Sequence, residues 1–254
     1  MTPHAPDSNG APQRIALVSD VHGNLPAFRS VLADVERSEA DAVWCLGDLV
    51  GYGAQPDGCV ELAAERCDLA LAGNHDLGVL GRIDISDFSP YAAAAALWTR
   101  ENICSETVEF LSGLEPRREG EAVGLYHASP LDPVWDYVTS ASGADRCMDE
   151  MEERVGAIGH THVASRFTRT DTEVRAEAVD GGSGHDLSDH EWLVNPGSVG
   201  QPRDGDPRAA WLLLDLGSWW AEWRRVTYAV EEAAEAINEA GLPRSLGDRL
   251  HVGQ

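Results

Sequence analysis

The 254-residue sequence predicts an α/β fold built on a parallel sheet. Two observations carry that prediction. Residues 14–72 run strand, helix, strand, helix, strand, an order that sets strands side by side with helical crossovers between them. Five polar segments follow predicted strands directly, and α/β proteins gather their chemistry outside the carboxyl ends of the strands. The length suits one large domain or two small ones. No internal repeat and no proline- or glycine-rich linker divides the chain, which favours one.

Residues 14–19 (RIALVS) form a short apolar run ending at Asp20 and read as a buried strand. Residues 25–37 read as a helix: Pro26 suits its first turn, and Phe28, Val31, Leu32 and Val35 fall at helical spacing. A second buried strand covers 42–46, a second helix 56–66, and a third short strand 68–72. The middle turns helical, with a run of alanines in 89–102 and a further helix over 106–114. Residues 124–127 read as a strand, 141–154 as an acidic helix and 155–159 as another buried strand.

The last third is β-rich, with strands expected over 165–170, 173–179, 192–195, 209–216 and 220–228. Trp211, Trp219, Trp220 and Trp223 read as core of these strands, with one face free for a homo-oligomer contact. A final amphipathic helix over 230–240 stops at Gly241-Leu242-Pro243. One domain is therefore expected over 14–242, between a disordered Pro/Ser/Asn/Gly-containing tail at 1–13 and a C-terminal tail at 243–254. The polar loop 180–190 (DGGSGHDLSDH) is expected to be mobile. The acidic runs 149–153 and 231–235 are expected to be solvated helix faces.

Composition narrows the function. The chain carries 19 Lys+Arg against 43 Asp+Glu, a formal net charge of −24, with 43% hydrophobic residues. The hydrophobic content excludes wholesale disorder. The charge argues against a broad nucleic-acid face or an anionic-membrane surface, both of which need clustered Lys/Arg. A phosphate-bearing substrate stays compatible if something locally reverses the field. The N-terminus lacks a signal-peptide pattern, no apolar run reaches the roughly 18 residues of a membrane span, and the five cysteines form no Cys-x-x-Cys pair. A reduced, cytoplasmic protein without disulfides is expected. There is no Gly-x-Ser-x-Gly elbow, Walker-type loop or Gly-x-Gly-x-x-Gly fingerprint.

The five polar segments are Asp20-Val21-His22-Gly23-Asn24, Gly47-Asp48, Gly73-Asn74-His75-Asp76, His127 and Gly159-His160-Thr161-His162. Asp20 and Asp48 offer carboxylates, Asn74 an amide oxygen, and His22, His127, His160 and His162 imidazoles. Such a mixed set suits manganese, iron or zinc. Seven ligands exceed the need of one ion with an open position. They suit two ions, about 3.5–4 Å apart, with one carboxylate bridging. Residues i and i+2 at a strand end project to the same side, so Asp20 and His22 can reach one ion together. His160 and His162 can do the same or split between two. The other histidines, His4, His185, His190 and His251, read as solvated. Tyr52 and Arg203 are candidate phosphate or substrate contacts, each weighed against a surface or packing role, with the balance towards that role for Arg203.

In type and order these segments resemble the signature of the calcineurin-like metallophosphoesterases. Asn195-Pro196-Gly197-Ser198-Val199-Gly200 is similar to a segment of the small bacterial phosphodiesterase branch, and the resemblance spans residues 14–228. It implies a two-sheet β-sandwich flanked by helices, with the site at one edge. It implies two divalent ions, manganese first, with iron, zinc, nickel or magnesium as alternatives. Asp20, His22 and His162 would bind the first ion, Asn74, His127 and His160 the second, and Asp48 would bridge. The implied activity is hydrolysis of a phosphodiester or phosphomonoester of a small molecule or nucleotide by metal-bound hydroxide. His75 would stabilise or protonate the leaving oxygen. No long nucleic acid and no membrane is expected as a partner.

Two stretches depart from the pattern. The protein-phosphatase branch carries Gly-Asp-x-x-Asp-Arg-Gly, where the second Asp orients the catalytic His and the Arg grips phosphate. Here Gly51 and Tyr52 stand in those places, which argues against a protein Ser/Thr phosphatase and leaves His75 without its usual orienting group. Ala128 replaces a frequent Gly after the fourth-motif His, a small change. A non-catalytic scaffold should have lost ligands or the His; all eight positions are present.

Overall fold

A computed structural model describes residues 12–119 and 122–254. Strand β1 (Arg14–Val18) is apolar on both faces, with Ile15, Ala16, Leu17 and Val18 all wholly buried. Burial on both sides is why it reads as a continuous apolar run. It pairs in parallel with β2 (Ala42–Cys45), which pairs in parallel with β3 (Leu69–Ala70). On its other edge β1 meets β11 (Ala209–Asp215) antiparallel, followed by β12 (Trp220–Val226) and β9 (Gly184–Asp186).

The second sheet has a parallel trio of its own: β5 (Gly124–Tyr126), β6 (Val155–Ala157) and β10 (Glu191–Asn195). Antiparallel strands β7 (Ser165–Arg169) and β8 (Val174–Ala178) extend it on one side, and β4 (Arg117–Arg118) on the other.

Alternation along the strands sorts the core into layers. Ile15, Leu17, Trp44 and Leu214 face Leu125, Val155, Trp192 and Val194 between the sheets. Ala16, Val18, Val43 and Leu213 point outward, against α1 (Leu25–Arg37) and α2 (Pro56–Arg66). Tyr126, Phe167 and Leu193 of the second sheet pack against α6 (Ala141–Asp149). The result is a two-sheet sandwich flanked by helices. Helix α1 starts where Asn24 accepts from the Ala27 N–H at 3.1 Å, an N-cap that the sequence pairs with Pro26 in the first turn.

Further short elements lie between these: α3 (Asn74–Val79), α4 (Pro90–Asn102) and α5 (Ser105–Ser112). Helix α4 places its alanines at close contacts, with Ala92, Ala95 and Ala96 buried. All five cysteines are free. No helix among the described residues is long and apolar enough to cross a membrane.

Several expectations need correction. The acidic helix expected over 141–154 ends at Asp149. Asp149, Glu150, Glu152 and Glu153 would crowd the negative end of its dipole. Helix α7 (Val230–Glu239) keeps its acidic residues because Glu231 and Glu232 lie in its first turn. The strand expected over 68–72 shrinks to two residues. The loop 180–190 contains a strand: β9 pairs with β12, Gly184 leaves room for the Trp220 indole, and Leu187 is wholly buried. Trp211 and Trp223 are core, but Trp220 is 46% exposed.

Residues 243–254 are folded against the domain, not a tail. They form α8 (Arg244–Asp248) and a 3-10 turn (Arg249–His251), with Leu246 and Leu250 buried beside Ala233 and Ile237 of α7. The expected N-terminal tail, 1–13, falls outside the described residues up to position 11. Gln13 is described, and its carbonyl accepts from Leu216 N–H at 2.7 Å.

Candidate metal centre

The candidate ligands sit on loops leaving the carboxyl ends of the two parallel trios. Asp20 and His22 follow β1, Asp48 follows β2, Asn74 and His75 open α3 after β3, His127 follows β5, and His160 and His162 follow β6. The pairs Asp20/His22 and His160/His162 do not continue the extended strand geometry expected of them. Asp20, His22, Asp48, His160 and His162 adopt left-handed backbone conformations, with φ between 51° and 64°. Each costs on the order of 1–3 kcal/mol and persists only where the surroundings over-determine it. The loops supply that constraint: His22 N–H donates to Asp48 O at 2.9 Å, and Gly53 N–H to His22 O at 2.9 Å.

Two groups of ligand atoms result. Asp20, His22, Asp48 and His162 form one, and Asp48, His127 and His160 the other, with atoms in each group within 4.8 Å of one another. Asp48 belongs to both. Asn74 joins the second, its Oδ1 3.2 Å from His127 Nε2. His4 lies outside the described residues; His185 sits on β9, and neither it nor His190 nor His251 enters a group.

The donor set fits divalent ions on its own chemistry. His22 Nδ1 lies 3.1 Å from Val50 O, His127 Nδ1 2.9 Å from Leu46 O, and His162 Nδ1 2.6 Å from Gln201 O. A carbonyl only accepts, so each Nδ1 carries the proton and each Nε2 presents a lone pair, the arrangement that orients a metal-binding histidine. The Nε2 atoms of His22 and His162 then face each other at 3.0 Å with no proton to share. Asp20 Oδ1, Asp48 Oδ2 and His160 Nε2 are buried without a partner. The second oxygens of the carboxylates are satisfied: Asp48 Oδ1 accepts from His75 N–H at 2.8 Å, and Asp20 Oδ2 from His160 N–H at 3.1 Å.

Burial sets the titration of the cluster. It pushes Asp20 up to about 7, against the pull of His127, and raises Asp48, with Asp76 adding to the rise. It lowers His22 and His162 well below the usual imidazole value, and His160 to about 2. Lone pairs and carboxylates are thus packed together where protonating the imidazoles is disfavoured, which is a cavity for cations.

His75 is buried beside the cluster. Burial, with Arg203 and His127, lowers it to about 3, so its ring is neutral. Its Nδ1 has no partner. The ring is held by packing: Tyr52 lies 4.4 Å away, Phe88 4.7 Å and His22 4.9 Å between ring centroids. Gly51, at φ +86°, has no side chain where that ring lies. The space in front of Gly51 is filled by the His75 ring itself.

Residues without an assigned role in the sequence reading complete the site. Asp76 accepts from Val50 N–H at 3.1 Å and Gly73 N–H at 2.9 Å, tying two ligand loops together. Asn195 donates to Gly159 O at 2.7 Å, Ser198 Oγ to Asp20 O at 2.8 Å, and the following Gln201 carbonyl anchors His162. The Asn195–Gly200 segment was visible as a motif, but its stapling role was not. Tyr137, 53% exposed, packs against His160 with ring centroids 4.0 Å apart and the rings tilted by 35°. No periodic or motif signal marked it.

The two-sheet sandwich thus brings carboxylates and imidazoles together at its strand ends as a candidate metal centre. A family model, the calcineurin-like phosphoesterase superfamily domain, matches residues 14–218, and the chain belongs to that superfamily. Protein MJ0912 of Methanocaldococcus jannaschii, described as uncharacterised, is 37% identical over 247 residues, covering 94% of this chain and 98% of its own. A metallophosphoesterase from Sphaerobacter thermophilus superposes with a TM-score of 0.88 at 34% identity, over 96% of this chain and 100% of that one. PH1004 from Pyrococcus horikoshii OT3 shares the fold, with a TM-score of 0.78 at 18% identity over 95% and 98% of the chains.

Proposed function

We propose that this protein is a dinuclear metal-dependent phosphoesterase that hydrolyses a phosphodiester or phosphomonoester of a small molecule or nucleotide. Asp20, His22 and His162 would hold one divalent ion, Asn74, His127 and His160 the other, and Asp48 both, with manganese the first metal to test. The observation that carries the reading is the facing Nε2 atoms of His22 and His162, 3.0 Å apart on rings whose Nδ1 atoms are anchored by carbonyls, beside carboxylate oxygens of Asp20 and Asp48 that have no hydrogen-bond partner. Such ions, when bound, supply Lewis-acid charge and lower the pKa of bound water.

The chain's own residues prepare that chemistry. The backbone carbonyls of Leu46, Val50 and Gln201 fix the tautomers of three imidazoles. The His75 N–H holds one oxygen of Asp48 and leaves the other for an ion. His75 is neutral in the free site. An anionic phosphate beside it opposes the effects that lower its pKa, so the ring becomes able to donate to the leaving oxygen as the ester breaks. A small substrate also suits the charge of −24, which repels long polyanions.

The test is metal analysis of the purified protein, then chelation, reconstitution with Mn²⁺ and turnover of bis(p-nitrophenyl) phosphate. Asp48→Asn should lose metal, and its activity should fall by at least the roughly 100-fold that loss of a supporting residue can cost. An Asp48→Asn protein that keeps full activity after chelation overturns the reading.

A further inference from the structure

All 19 basic residues are arginines, set among 43 acidic ones. Carboxylate partners are therefore plentiful, and many arginines take them: Arg37 with Asp34, Arg66 with Glu36, Arg169 with Glu191. Arg203 and Arg249 take none. Arg203 Nη2 donates to Gln201 Oε1 at 2.9 Å and to the Tyr52 hydroxyl at 3.3 Å. Arg249 Nη1 donates to the same Gln201 Oε1 at 3.2 Å. Arg203 Nε is buried with no partner at all.

Two guanidinium groups thus converge on one neutral oxygen. Like charges so placed repel, and each is partly withdrawn from water. Burial and the charge of Arg203 lower Arg249 from its ordinary value. Arg203 feels the buried carboxylates of Asp20 and Asp48 at a distance, but among the described residues neither guanidinium has a carboxylate within ion-pair reach.

Arg203 flanks the metal centre, and Arg249 is tied to it through the shared Gln201 acceptor. The Arg203 N–H donates to His162 O at 3.1 Å. Its guanidinium lies 5.6 Å from the centroid of the Tyr52 ring, and that ring packs on His22 at 4.7 Å and His75 at 4.4 Å. The positive charge is delivered from beyond Tyr52, by the loop after β10 and by the C-terminal 3-10 turn.

We propose that Arg203 and Arg249 form a phosphate clamp at the rim of the metal centre, binding anionic oxygens of the substrate's phosphate group. The identity of its occupant rests on the phosphoesterase reading. Guanidinium forks match phosphate oxygens bidentately, and Gln201 pre-positions both forks through one acceptor. The clamp makes the C-terminal segment part of the site.

The test uses full-length chelated protein with inorganic phosphate as the probe, titrated by calorimetry at ionic strength held constant with chloride. Arg203→Met and Arg249→Met should each weaken phosphate binding roughly tenfold or more. Arg203→Lys and Arg249→Lys should recover part of it, and exposed Arg37→Met should change nothing. Melting in chloride alone identifies a misfolded variant, and the lysine pair then decides. Equal phosphate binding by wild type and both methionine variants overturns the clamp.

In the Mn²⁺-loaded enzyme the same substitutions should raise KM more than they lower kcat. A rise with both bis(p-nitrophenyl) phosphate and a nucleoside diphosphate places the scissile phosphate in the clamp. A rise with the diphosphate alone places a neighbouring phosphate there. Intact phosphate binding without turnover of any ester would sink the phosphoesterase reading and leave the clamp. Turnover with phosphate binding indifferent to the arginines would do the reverse.

Discussion

Asp20 carries two costs at once: a left-handed backbone at φ 56° and a carboxyl wholly buried beside Asp48. Burial raises its pKa from 3.8 to about 7 in the metal-free protein. Between those values the folded state keeps a proton that the unfolded chain releases. The contribution of Asp20 to stability therefore falls as pH rises across this window, then stays constant above it. Asn at this position has no such dependence. In chelator, Asp20→Asn should gain on wild type as pH climbs, by at most about 4 kcal/mol above pH 7. The lowered histidines act with opposite sign: His75 and His160 contribute stability that is lost as pH falls below their unfolded value of 6.5. They are common to both proteins and cancel in the comparison. Urea unfolding at pH 5, 6 and 7.5 measures the gap, and a gap independent of pH would show that burial does not load this carboxyl. Added Mn²⁺ should stabilise wild type more than the variant.

At the scale of elements, the loop between β2 and α2 does most to shape the site. It turns through left-handed positions at Asp48, Gly51 and Tyr52, and its backbone is laced to the loop after β1. A Cβ at Gly51 would press on the His75 ring, and φ +86° is itself hostile to a side chain. Gly51→Ala should cost about 1–3 kcal/mol and lower kcat roughly tenfold or more by displacing His75, with metal content near wild type. Metal analysis beside steady-state kinetics checks it; an unchanged kcat would remove His75 from the reaction. The principal strands and long helices were legible because apolar periodicity is local. Helix α6 was overextended because an acidic run supports a helix at its start and opposes it at its end. Strand β9 was missed because it forms only by pairing with β12, far along the chain, and has no apolar pattern of its own.

For the whole molecule, the net charge of −24 confronts a site proposed to take anionic substrates. At about 0.01 M salt the surface field reaches roughly 30 Å, and at about 0.15 M only about 8 Å. Raising salt across that range should increase kcat/KM for a nucleoside diphosphate, and increase it less for singly charged bis(p-nitrophenyl) phosphate. Initial rates at subsaturating substrate measure this. A fall with salt would mean that the arginine pair and the bound ions dominate the field well beyond the pocket.

The sequence by itself determined the α/β class, the residue types of the site and their position just after strands. Hydrophobic period and strand-end polarity are properties of neighbouring residues, so one chain displays them. The tertiary structure alone decided which of these residues meet. His22 reaches His162 across 140 positions because two parallel trios in different sheets bring their carboxyl ends together. It also decided that Tyr52 and Phe88 flank His75, and that Arg249, expected in a tail, shares an acceptor with Arg203. Those contacts depend on strand pairing and on helices docking over the sheets, and local periodicity does not encode either one.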